Sequence, residues 1–256
     1  MKVGIVGVGI TPFRPTTPEF SWKELMYDGA QRAYADAGID PRADVGSFIT
    51  CAEDYYEGFG IFDEFTPDQL GAVLRPMHTV GGDGIQGLAN AVMQIRSGLA
   101  DVVVVESHSK ASDILTLNGI VAHGLDPIWN KPLGGHPNYL AGLEMDAFLR
   151  GSGNTTQDCA HVAATNRQAA LLNPTAAYPS RVTPEQVAAS PALWAPLRTL
   201  DASIPADGCV VLVVAGEQAA RTMASEPVWV QGIGWASDSP SLETREWVIP
   251  AYARLA

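Results

Sequence analysis

The chain has 256 residues, 46% of them apolar and 17% charged, which is enough to bury a full core and unlike the composition of a disordered segment. Its net charge of −12, from 28 acidic against 16 basic side chains, gives phosphate backbones little general attraction and argues against a nucleic-acid partner. No apolar run reaches the roughly 18 residues of a membrane span. Met1-Lys2-Val3 leads into a strand pattern rather than a signal peptide, so a cytoplasmic location is expected.

The three cysteines, Cys51, Cys159 and Cys209, are odd in number and far apart, which argues against a disulfide framework and against a Cys-x-x-Cys metal site. No metal is expected. Cys209 opens a valine-rich run and reads as a small buried hydrophobe rather than a reactive thiol.

In chain order, Val3–Ile10 alternates branched residues with glycine and predicts a buried strand. Gly7-x-Gly9 is not a dinucleotide loop, because that fingerprint opens straight into a helix and here Pro12, Pro15 and Pro18 intervene. Ser21 and Glu24 form a capping box for the first helix. Its apolar face comprises Trp22, Leu25, Met26, Gly29, Ala30, Ala33 and Ala37, and Gly38 ends it. A strand near Val45–Cys51 follows. The aromatic and acidic stretch Glu53–Phe65 reads equally as a covering segment or a surface loop.

Met77–Val80 then predicts a strand, Gly81–Gly84 a tight turn, and Ile85, Leu88, Ala89, Val92 and Ile95 one face of a helix that ends near Gly98. The run Val102–Val105 is typical of a central strand buried on both faces, which completes a βαβ unit. From Ser107 to Pro196 the pattern changes to glycine- and proline-punctuated loops with short helices. One helix follows Thr155, and another is capped by Thr183 with Pro184 at its first position. Strands return at Cys209–Ala215 and Val228–Ile233 around a short helix at Glu217–Met223, and Glu243–Ala256 looks like the start of a further helix.

The block Met77–Glu106 resembles the nucleophile region of thiolases. The blocks Asn166-Arg167 through Asn173-Pro174, Pro196–Asp201 and Asp207-Gly208-Cys209 are similar to the sterol-carrier-protein-X branch of thiolases and lipid-transfer proteins. The resemblance implies an α/β fold, the layered αβαβα thiolase arrangement in its N-terminal half, with an inserted loop domain. The expected boundaries are 1–111 and 196–225 for the core, 112–195 for the insertion, and 226–256 for the start of a second half that the family carries beyond residue 256.

In the thiolases that this block resembles, the turn before the long helix carries the nucleophilic cysteine, and here that place falls on Gly81. Glycine cannot hold an acyl group. The pattern His78-x-x-Gly81-Gly82 is closer to the cysteine-lacking branch that includes steroid side-chain aldolases. Those enzymes cleave a carbon–carbon bond of 3-hydroxyacyl-CoA thioesters by retro-aldol chemistry, without a covalent acyl-enzyme.

Gly81, Gly82 and Gly84 are candidates for substrate binding at a helix N-terminus, against the alternative of a tightly packed turn. Asp83 is a candidate general base, although its position three residues before Gln86 favours a helix cap. His78 is a catalytic candidate, against the commoner structural role of a histidine at a strand end. His123 and His136 lie beside glycines and prolines and are candidate lining of an acyl or pantetheine channel, against solvated loop positions. His161 points about 160° from Cys159 on a regular helix and receives no role. Lys131, Arg150, Arg167, Arg181 and Arg198 are the side chains available for coenzyme A phosphates.

The resemblance therefore implies a retro-aldol lyase, or a subunit of one, with coenzyme A as part of the substrate and no covalently bound cofactor. It further implies a homodimer and an OB-fold and zinc-ribbon partner protein. The alternative is a non-catalytic acyl-CoA or lipid-binding subunit, a remnant of the thiolase acyltransferases. Residual thiolase activity through Cys51 or Cys159 is a third possibility.

Overall fold

The computed structural model describes residues 1–52, 61–223, 226–239, 245, 247 and 248. Most of the Glu53–Phe65 segment and the expected helix at Glu243–Ala256 lie outside the described residues. The chain divides into two compact units, residues 1–114 with 206–233, and residues 115–205 with 234–256.

The first unit runs β1 (Val3–Arg14), α1 (Trp22–Ala37), α2 (Pro41–Asp44), β2 (Ser47–Cys51), α3 (Pro67–Leu70), β3 (Met77–Val80), α4 (Gly84–Arg96) and β4 (Val102–Ser109). The second contains α5 (Leu117–Val121), α6 (Pro137–Ser152), α7 (Thr156–Ala169), α8 (Pro184–Ala189), β5 (Ala192–Trp194) and β6 (Leu197–Arg198). The chain then returns to the first unit with β7 (Asp207–Gly216), α9 (Glu217–Thr222) and β8 (Val228–Trp229).

Six strands form one mixed sheet in the order β3-β2-β4-β7-β1-β8. β2 pairs in parallel with β3 and β4, whereas β4–β7, β7–β1 and β1–β8 are antiparallel. Pairing on both sides of β4 and β7 leaves their side chains two faces to bury, which explains the unbroken valine runs. Val104, Cys209, Val211 and Val213 pack with Leu25, Met26, Ala30 and Ala33 of α1, while Val103, Val105 and Val214 pack with Ala91, Val92 and Ile95 of α4. The sheet is thus sandwiched between helices.

The α1 ends behave as the sequence predicts. Ser21 and Glu24 make the reciprocal capping box, and Gly38 closes the helix in the left-handed region at φ 67°. Gly9 belongs to this packing rather than to any nucleotide loop, since a Cβ there would fall 1.9 Å from the Gly29 carbonyl oxygen on α1. β1 extends past its predicted end to Arg14, with Pro12 inside a register shift between Thr11 and Arg14, where a missing N–H is tolerated.

The units differ from the sequence-based boundaries: residues 112–114 fall with the first unit and 234–256 with the second, and two further stretches change sides. Residues 196–205 fall with the inserted unit, because β6 pairs with β5 and the Arg167 guanidinium donates to the carbonyls of Leu200 and Ala202. Residues 226–233 fall with the first unit, where Val228–Trp229 extends the sheet beside β1 and the Val230 N–H donates to Val3 O. The strand expected over Val228–Ile233 is shortened to its first two residues.

Candidate functional site

The strand, turn and helix from Met77 to Arg96 build the site. Alternation along β3 sets Met77 against the α1 cluster and Val80 against the α4 cluster, so half-buried His78 shares the α4 side of this edge strand. His78 pairs in register with Ile49. Thr79 points the other way, and its hydroxyl donates to Asp63 at 2.9 Å.

Asp83 is the N-cap of α4. Its Oδ1 accepts the Ile85 and Gln86 N–H groups at 2.9 and 3.2 Å, so two of the helix's orphan donors are already satisfied. Gln86 does not complete a reciprocal box; its side chain lies over Gly82, where a Cβ would fall 1.6 Å from Gln Oε1. That neighbour is the movable end of a long side chain. Gly84 sits 3.2 Å, measured from a notional Cβ, from Ser107 Cβ of β4. At Gly81 a Cβ would meet nothing within 4 Å among the described residues, and the backbone there is not left-handed. Neither packing nor backbone geometry therefore requires glycine at 81.

Beside this helix start lies a cleft of about 370 Å³ lined by Phe13, Asp83, Gly84, Ile85, Val105, Ser107, His108, Ser109, Val210 and Leu212. Its walls are chiefly apolar, with Asp83 and two strand hydroxyls at one end, the mixture typical of a small-molecule site. Of the sequence candidates, Asp83 and Gly84 border this cleft; Phe13, Ser107 and Ser109 were not among them. The available signal was the change from valines to alternating serines after Val105, which marks the strand's outgoing end.

The inserted unit places its candidates separately. His123 is exposed, with its Nδ1 3.4 Å from Lys131 Nζ, and His136 caps α6 by accepting the Asn138 N–H at 3.2 Å. Of the five basic side chains, Arg167 and Arg198 are committed to backbone carbonyls and Arg150 pairs with Asp146, while Lys131 and Arg181 remain exposed. Among the described residues, no group of three or more His, Cys, Asp or Glu is arranged to hold a metal ion.

Burial, with the nearby charge of Glu106, pushes the Cys51 thiol up to about 12, and burial with the charges of Asp201 and Asp158 also raises that of Cys159. Neither sulfur has the electropositive surroundings of an activated nucleophile. Two buried polar clusters were not anticipated from the sequence. Asp207 accepts from Lys110, Ser112 and Thr17, and Glu106 accepts from Thr50 and meets His108.

A thiolase-like α/β fold is what this mixed sheet, with a helix-opening turn beside an apolar cleft, corresponds to among solved proteins. The Ltp2-ChsH2(DUF35) aldolase matches with a TM-score of 0.77 at 24% identity, over 93% of this chain and 62% of that one. Among curated proteins, the acetyl-CoA acetyltransferase of Methanothermobacter thermautotrophicus is 26% identical over 250 residues, 95% of this chain and 64% of that protein. The 17-hydroxy-3-oxo-4-pregnene-20-carboxyl-CoA lyase of Mycobacterium tuberculosis is 27% identical over 240 residues, 90% of this chain and 61% of that protein. The relatives are thus thiolase-like acetyl-CoA acetyltransferases and steroid side-chain lyases, as the sequence motifs imply. The chain spans less than two thirds of the length of these curated relatives. No family model matches it. No described helix is long and apolar enough to cross a membrane.

Proposed function

We propose that this chain carries part of a thiolase-fold carbon–carbon lyase acting on 3-hydroxyacyl-CoA thioesters by retro-aldol cleavage. The observation that carries the proposal is Gly81, a residue without a side chain at the turn that opens α4, in a place where none of the described residues would block a side chain. A covalent acyl-enzyme is unavailable to glycine, and the thiols of Cys51 and Cys159 are raised rather than activated. The lyase relative of Mycobacterium tuberculosis supports this reading.

In a retro-aldol step a base takes the proton of the substrate's 3-hydroxyl, and C3 becomes a carbonyl as the C2–C3 bond breaks. The electron pair passes into the thioester enolate, which is then protonated at C2. The N-terminal end of α4 offers a positive dipole to the enolate oxygen, and the Phe13, Val210 and Leu212 wall offers an apolar seat for the acyl group. Asp83 and His78 are the candidate proton-transfer groups of this chain, with Gly81, Gly82 and Gly84 as substrate-facing backbone. His123 and His136 are proposed only as lining for the pantetheine arm. The enzyme is proposed to work as a homodimer with an OB-fold and zinc-ribbon partner; the aldolase neighbour, which pairs Ltp2 with ChsH2(DUF35), supports a second polypeptide.

The test is an assay of purified chain, alone and with candidate partners, against 3-hydroxyacyl-CoA. Release of a carbonyl product and a shortened acyl-CoA is expected in at least one combination. Folded protein that cleaves nothing in any combination, but binds acyl-CoA in a calorimeter, would replace this reading with that of a non-catalytic binding subunit.

A further inference from the structure

On the face of β4 opposite the cleft, two titratable side chains are buried together. The Glu106 side chain is 0% exposed and that of His108 is 1% exposed, and His108 Nδ1 lies 2.8 Å from Glu106 Oε1. Thr50 Oγ1 donates to Glu106 Oε2 at 2.7 Å, and Cys209 Sγ donates to Oε1 at 3.4 Å. Donors therefore reach both carboxyl oxygens of Glu106. A carboxylate buried without countercharge is costly, and an imidazole in contact with it gains by holding its second proton. The ring itself is clamped, stacked on Trp22 with centroids 5.6 Å apart and an interplanar angle of 15°, with the Phe62 edge at 5.5 Å.

Among the described residues, the titratable groups around the pair are Tyr34, Cys51, Lys23, Asp63 and Cys209. Burial and the neighbouring charge of Glu106 keep Tyr34 of α1 and Cys51 of β2 above their ordinary values, and so neutral. Lys23 of α1 lies 5.3 Å from the Trp22 centroid. Asp63, next to Phe62, is bonded to Thr79 through Oδ1. Cys209 of β7 presents a thiol donor.

Strand alternation gives the pair its consequence. Glu106 and His108 face α1, so Ser107 and Ser109 face the cleft, and Ser107 is the residue against which Gly84 seats the start of α4. We propose that Glu106 and His108 are a charged carboxylate–imidazolium pair that positions the cleft-lining end of β4 from behind. They are positioning residues: His108 borders the cleft, but its side chain is 1% exposed and stacks on Trp22 on the α1 face of the sheet. This proposal does not rest on the acyl-CoA reading.

Nitrogen-15 NMR of histidine-labelled full chain tests it. The His108 ring is expected to show two protonated nitrogens at neutral pH and to lose one only on the alkaline side. The Gly84, Ser107 and Ser109 amide resonances should shift along the same titration curve. In Glu106→Gln, which keeps an acceptor but removes the charge, His108 should be neutral at pH 7, with the Gly84 and Ser107 amides at the positions that the native protein reaches only at high pH. A neutral His108 ring in the native protein at pH 7 would overturn the charged pair. A ring that titrates while the three amides stay fixed would overturn its positioning role. Both outcomes are read on the native chain, so the proposal stands or falls even where the variant does not fold.

Discussion

At Gly81 and Gly87 the same residue type has opposite physical standing. A Cβ at Gly87 would lie 2.2 Å from Cys51 Sγ and 2.7 Å from Val105 Cγ1, so this glycine lets α4 approach the sheet. Gly87→Ala should cost about 1–3 kcal/mol in urea unfolding, the usual penalty for overpacking. Gly81→Cys should change stability by less than about 0.5 kcal/mol, because the side chain meets none of the described residues. The introduced thiol sits at the turn that opens a helix and should alkylate faster than Cys159, whose thiol is raised. Equal rates would show that the turn is not open.

Asp207 sets the acid side of stability. Burial pushes its carboxyl up, but hydrogen bonds from Lys110, Ser112 and Thr17 outweigh this and hold it at about 2. Its folded value is depressed, so the stabilisation is present above the unfolded value near pH 4 and is lost as pH falls toward 2. This amounts to about 2 kcal/mol. Lys110→Met should be worse than neutral removal of both partners, costing about 3–5 kcal/mol, because it leaves Asp207 buried and unpaired. Chemical unfolding of the native chain and of Lys110→Met between pH 2 and 7 measures each effect.

At the scale of elements, α4 separates Asp83's two roles. Asparagine caps a helix about as well as aspartate, so Asp83→Asn should unfold within about 0.5 kcal/mol of the native chain, whereas Asp83→Ala should lose about 1 kcal/mol. If Asp83 is also the base of the proposed cleavage, Asp83→Asn should abolish turnover while keeping stability. Activity retained in Asp83→Asn would leave the carboxylate with capping alone. Both helices of the first unit that pack broadly on the sheet were legible in the sequence, since α1 carries its capping box and terminal glycine and α4 its apolar stripe. α6 was not. Its flanks are rich in glycine and proline, and Gly142 is its only buried residue, so no stripe marks it. The Glu106–His108 pair was equally hidden, because polar residues after a valine run read as a strand leaving the core. Among the described residues, Trp22 and Phe62, distant in sequence, cover the His108 ring.

At the scale of the whole molecule, the three free cysteines report on the two units separately. Cys51 lies in the α4-side cluster and Cys209 in the α1-side cluster of the first unit, both essentially inaccessible, whereas Cys159 is half-buried on α7 of the second. An aromatic disulfide reagent should therefore modify Cys159 in the native protein, slowly at neutral pH because burial and nearby acids raise its thiol, and faster as pH rises. Cys51 and Cys209 should react only through opening of the first unit, slower than an unfolded thiol by about a thousandfold or more. Both clusters are built on the same strands β4 and β7, so neither side can expose its sulfur fully while the sheet stays whole. In rising urea Cys51 and Cys209 should become reactive at one shared midpoint. A lower midpoint for Cys51 alone would mean that α4 leaves the sheet before the core opens, and the turn at Gly81 would then be the least stable part of the unit that carries the site.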